Sequence, residues 1–157
     1  MLSRQVGDKL RGMTVNWPPG WGPDSCDSFV SHERLVAAPE SAVFALLTAV
    51  EDWPKWQRGI DSVELTSSGF VVTTALHTFD GIVGELVRPS RFGWAAVGEG
   101  LSFYQSWLLE PEPGGTRVVF QEASRGPSAA MRATGRTAQT REWLDNLLPV
   151  RPGPRAG

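Results

Sequence analysis

The 157 residues of this chain are enough for one domain with a sizeable core. Hydrophobic residues make up 41% and charged residues 20%, ordinary values for a soluble globular protein, and no run approaches the roughly 18 apolar residues of a membrane span. With 15 Lys and Arg against 17 Asp and Glu, the net charge of -2 offers no basic surface for nucleic acid, and one cysteine with two histidines leaves disulfide, zinc and haem chemistry without ligands.

Residues 1–27 form an irregular arm, carrying Pro18, Pro19, Gly20, Gly22 and Pro23 with Trp17 and Trp21 among them. Those tryptophans either pack on the domain, cover a pocket mouth or contact a second copy. The N-terminus lacks the apolar core of a signal peptide, so a cytoplasmic monomer or homodimer is expected.

Phe29 to Ala37 alternates as a first strand should. Ala38-Pro39-Glu40 then opens a helix, with proline in the first turn and Glu40 near the positive end of the dipole. That helix ends before Asp52-Trp53-Pro54, because the residue before proline avoids the helical region. Trp53 to Gln57 is a short turn or second small helix.

From Ile60 the texture is strand, turn, strand. Ile60–Thr66 turns at Ser67-Ser68-Gly69 into Phe70–Thr78. Asp80–Val87 follows, with Asp80-Gly81 and Arg88-Pro89-Ser90 as punctuation. Phe92–Val97 and Leu101–Leu109 are separated by Gly98-Glu99-Gly100, and Thr116–Ser124 ends the series. Gly126-Pro127-Ser128 starts a helix of about six turns to Leu148. The tail, 149–157, shows no pattern.

The apolar face of that last helix reads Ala130, Ala133, Thr137, Thr140, Leu144, Leu147. Such small side chains do not fill the space beneath a helix at normal packing density. Either large side chains from a sheet occupy the gap or a ligand does. Seven tryptophans against one tyrosine suit both a core and a pocket wall for organic ligands.

The order β, short α, consecutive strands, long helix predicts an α+β layer: a curved antiparallel sheet of about six or seven strands gripping the C-terminal helix. Two stretches carry a family resemblance. Ala38-Pro39-Glu40-Ser41-Ala42-Val43-Phe44-Ala45-Leu46-Leu47 followed by Asp52-Trp53-Pro54-Lys55-Trp56 resembles the opening of the START-like helix-grip superfamily. Leu109-Glu110-Pro111 with Gly114-Gly115-Thr116-Arg117-Val118 resembles the hairpin before its last strand. The similar branch is the bacterial polyketide cyclase/dehydrase and lipid-transport group, and the resemblance spans residues 28–148. It implies an internal cavity between sheet and helix and a hydrophobic polyketide- or lipid-like ligand; with no Cys/His ligand spacing, no cofactor or metal is expected. It also implies either a biosynthetic cyclase or dehydratase working by positioning and acid–base groups, or a non-catalytic carrier.

No Gly-x-Ser-x-Gly elbow, Cys/His signature or phosphate loop is present. Polar residues inside half-buried strands remain as candidates. His77 at a strand end suits proton transfer near neutral pH, or is merely exposed. Glu85 is either inward with a perturbed carboxyl or solvated. Gln105 shares its strand face with Phe103 and Trp107, Tyr104 takes the other face, and only one face can line the hollow. Phe103 and Trp107 favour the Gln105 face, while a phenol at Tyr104 could orient a carbonyl. Glu122, on the side of Val118 and Phe120, points at the helix. Candidate catalytic residues are therefore His77, Tyr104, Gln105 and Glu122. Candidate ligand-binding residues are Trp53, Trp56, Trp94, Phe103, Trp107, Phe120, Ala133 and Thr137. Arg132 and Arg136 read as a solvated helix flank or as a trap for an acidic ligand group. A third possibility is a partner-binding domain with a vestigial cavity.

Overall fold

The computed structural model describes residues 13–147. Seven strands form one curved, unclosed antiparallel sheet in the order β1-β7-β6-β5-β4-β3-β2, so the fold is α+β as expected. β1 (Ser28–Val36) pairs with β7 (Gly115–Arg125). β2 (Ile60–Leu65), β3 (Phe70–Thr74), β4 (Thr78–Val87), β5 (Arg91–Gly98) and β6 (Leu101–Glu112) lead to β7 as successive hairpins. Helix α1 (Glu40–Thr48), entered through Pro39, and a 3-10 helix (Val50–Lys55) connect β1 to β2. α2 (Pro127–Met131) and α3 (Ala133–Asp145) follow β7 and cross the inner face of the sheet.

Burial of aromatic side chains between these layers holds the core. Trp53 lies 5.5 Å from the Phe70 ring and 5.1 Å from Trp94, and Trp107 lies 4.6 Å from Phe120. Each such buried side chain contributes ~1.5–3 kcal/mol. Trp53 also donates from Nε1 to Leu47 O at 2.9 Å, joining the 3-10 helix to α1. Helix α3 is pinned at its outer end by side chains that reach backbone carbonyls. Gln139 Nε2 and Trp143 Nε1 donate to Arg58 O at 3.1 and 3.0 Å, and Asn146 Nδ2 donates to Trp56 O at 3.1 Å.

The turn between β3 and β4 differs from expectation. It falls at Ala75-Leu76-His77, and Asp80-Gly81 lies inside β4. Gly81 is there for space: a Cβ at this position would stand 2.5 Å from the Phe70 ring. A glycine that admits an aromatic ring reads, in sequence, like a turn.

The last helix is interrupted where the spacing predicts continuity. Arg132 has φ -96° and ψ 3°, which separates α2 from α3. The inward face is then Ala129, Arg132, Arg136, Thr140, Trp143, Leu144 and Leu147, so Thr140, Leu144 and Leu147 of the expected stripe are buried and its first half is not. Ala130 is exposed, and Ala133 and Thr137 are half-buried beside that face. The register differs from the expected one because the inward stripe includes a charged residue, Arg136, buried at 6% exposure. Leu148 and the tail 149–157 lie outside the described residues, as do residues 1–12 of the arm.

Residues 13–27 run over the outer face of the sheet. Met13 and Val15 pack on Leu108 and Val119, and Trp17 meets the rings of Phe29 and Tyr104 at 6.1 and 5.9 Å. Trp21 lies under the Arg125 guanidinium at 4.3 Å. Trp17 is therefore packed on the domain and is not at a pocket mouth.

Candidate functional site

Strand alternation sends Phe103, Gln105 and Trp107 of β6 to the inner face, and Tyr104 to the outer one. Opposite them, Trp94 and Phe92 of β5 and Phe120 and Glu122 of β7 share the inner side. A pocket of about 440 Å³, open to solvent, lies between this side and helices α2 and α3. Its walls are Ile60, Val72, Phe79, Trp94, Phe103 and Trp143, with Leu76, His77 and Met131 toward the opening and Gln105, Arg132 and Arg136 among its polar groups. The volume falls in the range of about 300–1,000 Å³ usual for small-molecule sites. Leu76 and Met131 are each 87% exposed.

The polar groups at the deep end form one connected network. Trp94 Nε1 and Trp107 Nε1 both donate to Gln105 Oε1, at 3.0 and 2.8 Å. That fixes the amide orientation, so Gln105 Nε2 faces Glu122 and donates to Oε2 at 3.0 Å. Arg136 completes the set with a two-pronged pair, Nε to Glu122 Oε1 at 2.7 Å and Nη2 to Oε2 at 2.5 Å. Its Nη1 donates to Gln139 Oε1 at 2.7 Å. Burial pushes the Glu122 carboxyl up, but the Arg136 charge and its hydrogen bonds outweigh this and hold it below the usual carboxylate range. Glu122 is thus an anion with both oxygens engaged, a poor proton acceptor at neutral pH.

Of the four candidate catalytic residues, the structure brings Gln105 and His77 to the pocket. Gln105 sits at the bottom with both ends of its amide bonded. His77 belongs to the β3–β4 turn, where its N–H meets Thr74 Oγ1 at 3.1 Å and its ring stacks 5.3 Å from Phe79. Glu122 stands behind Arg136 rather than on the pocket wall. Tyr104 is on the opposite side of the sheet, in a hollow formed by Gly84 and Gly93 and covered by Trp17. Burial, with Glu85 nearby, pushes its phenol up to about 12. Tyr104 therefore has no access to the pocket, and the alternation that brings Gln105 in is the reason.

Of the candidate ligand-binding residues, Trp94 and Phe103 line the pocket. Trp53, Trp56, Trp107 and Phe120 are buried in the core and are not on the pocket wall. Ala133 and Thr137 are displaced from the wall by the helix register described above. Glu85 faces outward through a bulge at Gly84 and pairs with Arg91 at 3.0 Å. Sequence reasoning missed Ile60, Val72, Phe79 and Trp143, and it weighed the two arginines as a solvated flank or an acid trap without setting either against Glu122. The alternation of β3 and β4 carried the signal for Val72 and Phe79. An inward Glu122 carried it for the arginines, since a buried carboxylate needs a cation within reach. Among the described residues no group of three or more His, Cys, Asp or Glu could hold a metal ion, and no helix is long and apolar enough to cross a membrane.

Comparison with known proteins adds the following. The family profile described as polyketide cyclase / dehydrase and lipid transport matches residues 29–147. No curated protein matches the chain. A hypothetical protein of Helicobacter pylori superimposes with a TM-score of 0.77 at 22% identity, over 87% of this chain and 95% of that one. A START superfamily protein from Mycobacterium smegmatis does so with a TM-score of 0.65 at 14% identity, over 77% and 97% of the two chains. A protein of Thermus thermophilus reaches 0.63 at 18% identity, over 78% and 95%. At these identities the structural likenesses show the shared fold alone.

Proposed function

This chain belongs to the polyketide cyclase/dehydrase and lipid transport family, and we propose that its pocket binds a hydrophobic small molecule, polyketide- or lipid-like, as a binding or carrier protein. The observation behind this reading is the division of labour in the wall. The surfaces that could meet a ligand are mostly aromatic and aliphatic, while Gln105, Glu122 and Arg136 are already bonded to one another. A network with every member engaged positions and rigidifies, and its carboxylate, held as the anion by Arg136, is a poor group for moving protons. A cyclase or dehydratase reading keeps one observation in its favour, the presence of His77 toward the pocket mouth.

Titration of intrinsic fluorescence with a panel of aromatic polyketides and long-chain acids tests the proposal. Trp94 and Trp143 line the pocket, so a bound ligand quenches or shifts their emission. The expected result is saturable one-to-one binding, weakened at least tenfold by Val72→Phe, with the ligand recovered unchanged by mass spectrometry. Recovery of a cyclised or dehydrated product, lost in His77→Ala, would establish the enzyme instead. Absence of binding across the panel would remove the pocket as the functional site.

A further inference from the structure

The pocket wall holds more positive charge than the network neutralises. Arg136 is matched by Glu122, whose oxygens accept from Arg136 Nε, Arg136 Nη2 and Gln105 Nε2. Arg132, one helical turn earlier, is left over. Its Nη2 is 3.9 Å from Glu122 Oε1, beyond hydrogen-bond range, and its Nε and Nη2 are buried with no acceptor among the described residues. The side chain is only 26% exposed, and its guanidinium lies 5.4 Å from the centre of the Phe103 ring, against the pocket. Burial and the neighbouring Arg136 pull its pKa down to about 10, so it still carries its charge at neutral pH. Among the described residues no carboxylate lines the pocket; its ionisable groups are Arg132, Arg136 and His77. An anion entering there meets a cation with donors to spare, and the carboxylate near it, Glu122, lies off the pocket wall with its charge matched by Arg136.

Building on the reading of this pocket as a ligand site, we propose that the ligand is an amphiphile with a single carboxylate, seated on Arg132, its apolar body against Phe79, Val72, Trp94 and Phe103. The planar fork of a guanidinium matches a carboxylate with two parallel hydrogen bonds, which no alcohol or ester can reproduce. Donors buried without acceptors gain most from such a partner, because they have already lost their water. One carboxylate brings the three charges of Arg132, Arg136 and Glu122 to neutrality, and a second would find no cation left in the wall.

Calorimetric titration of the full chain with decanoate, decan-1-ol and decylamine tests this. Wild type is expected to bind decanoate at least tenfold more tightly than decan-1-ol, and decylamine more weakly than either. Arg132→Met is expected to lower decanoate affinity at least tenfold and leave decan-1-ol within twofold, while Arg132→Lys retains part of the preference. Equal affinity of wild type for decanoate and decan-1-ol overturns the proposal and leaves the hydrophobic pocket standing. A preference that survives in Arg132→Met overturns the role of Arg132. If no amphiphile binds, the pocket reading itself falls. The wild-type comparison holds even if Arg132→Met fails to fold, which its thermal unfolding would reveal.

Discussion

Glu122 shows how one buried residue organises its surroundings. It is fully buried, and its pair with Arg136 is tolerated because both charges are hydrogen-bonded as well as opposed. Glu122→Gln leaves the Arg136 guanidinium buried without its counter-charge, which costs ~3–5 kcal/mol. Replacing Glu122 and Arg136 together by Leu and Met should cost less than either single change, because the fully buried pair is removed whole and only the more exposed Arg132 loses a neighbouring carboxylate. Urea denaturation of Glu122→Gln, the two single changes and the double variant measures both statements. The same pair makes the fold sensitive to acid. The folded-state pKa of Glu122 lies below its unfolded value of ~4.3, so its stabilisation is complete above that pH and is lost as pH falls through the folded value. Unfolding free energy measured from pH 2 to 7 should therefore drop more steeply below pH ~4 in wild type than in Glu122→Gln, and parallel acid limbs would contradict this. The inward position of Glu122 was legible from the alternation of its strand. Its partner was not, because arginine on a helix is ordinarily a solvated residue, and periodicity of apolar side chains passes over a charged one that is buried.

The sheet elements hide a second arrangement of this kind, on the face away from the pocket. The register between β4 and β5 shifts between Val83 and Glu85, and Gly84 and Gly93 together leave room for the Tyr104 ring. A Cβ on Gly93 would stand 2.2 Å from Tyr104 Oη and 2.9 Å from Cζ. The ring cannot swing away, since it is buried and Trp17 packs against it. Gly93→Ala should destabilise by ~1–3 kcal/mol through this overpacking. Tyr104→Phe in the same background should recover only part of the loss, because Cζ remains too close; full recovery or none in thermal unfolding would contradict the geometry. The approximate strand count, the run of consecutive hairpins and most turns were readable from alternation and from glycine, proline and serine punctuation; the pairing of β1 with β7 was not. The errors came from glycines with a different purpose. Gly81 makes space for Phe70 inside a strand but looks like a turn, and Gly84 marks a bulge that reverses the facing of Glu85. The break at Arg132 carries no proline, so nothing in the local sequence announced it.

At the scale of the whole molecule, the middle of the sheet around β6 and β7 is covered on both sides, by helices within and by residues 13–17 without. This is why β6 is buried along most of its length and why its two faces could not be told apart in the sequence. The outer strap is held by apolar contact and by polar links: Asn16 Nδ2 donates to Glu85 Oε2 at 2.8 Å, and Arg91 Nη2 to Thr14 O at 2.6 Å. Burying Met13, Val15 and the packed face of Trp17 contributes ~1.5–3 kcal/mol each. Ordering five backbone residues opposes this with ~1–2 kcal/mol each, so the two effects nearly cancel. Removing residues 1–17 should thus lower stability only modestly, by ~1–3 kcal/mol, the size of the few hydrogen bonds lost. It should have a larger effect on surface properties, since Leu108, Val119 and Tyr104 become exposed together. The truncated protein is expected to bind anilinonaphthalene sulfonate at this new patch and to self-associate in sedimentation velocity. Ligand affinity in the pocket, on the other side of the sheet, should stay within twofold of wild type. A tenfold loss of affinity with an unchanged unfolding midpoint would instead mean that the strap acts on the pocket through β6, whose alternate residues touch both.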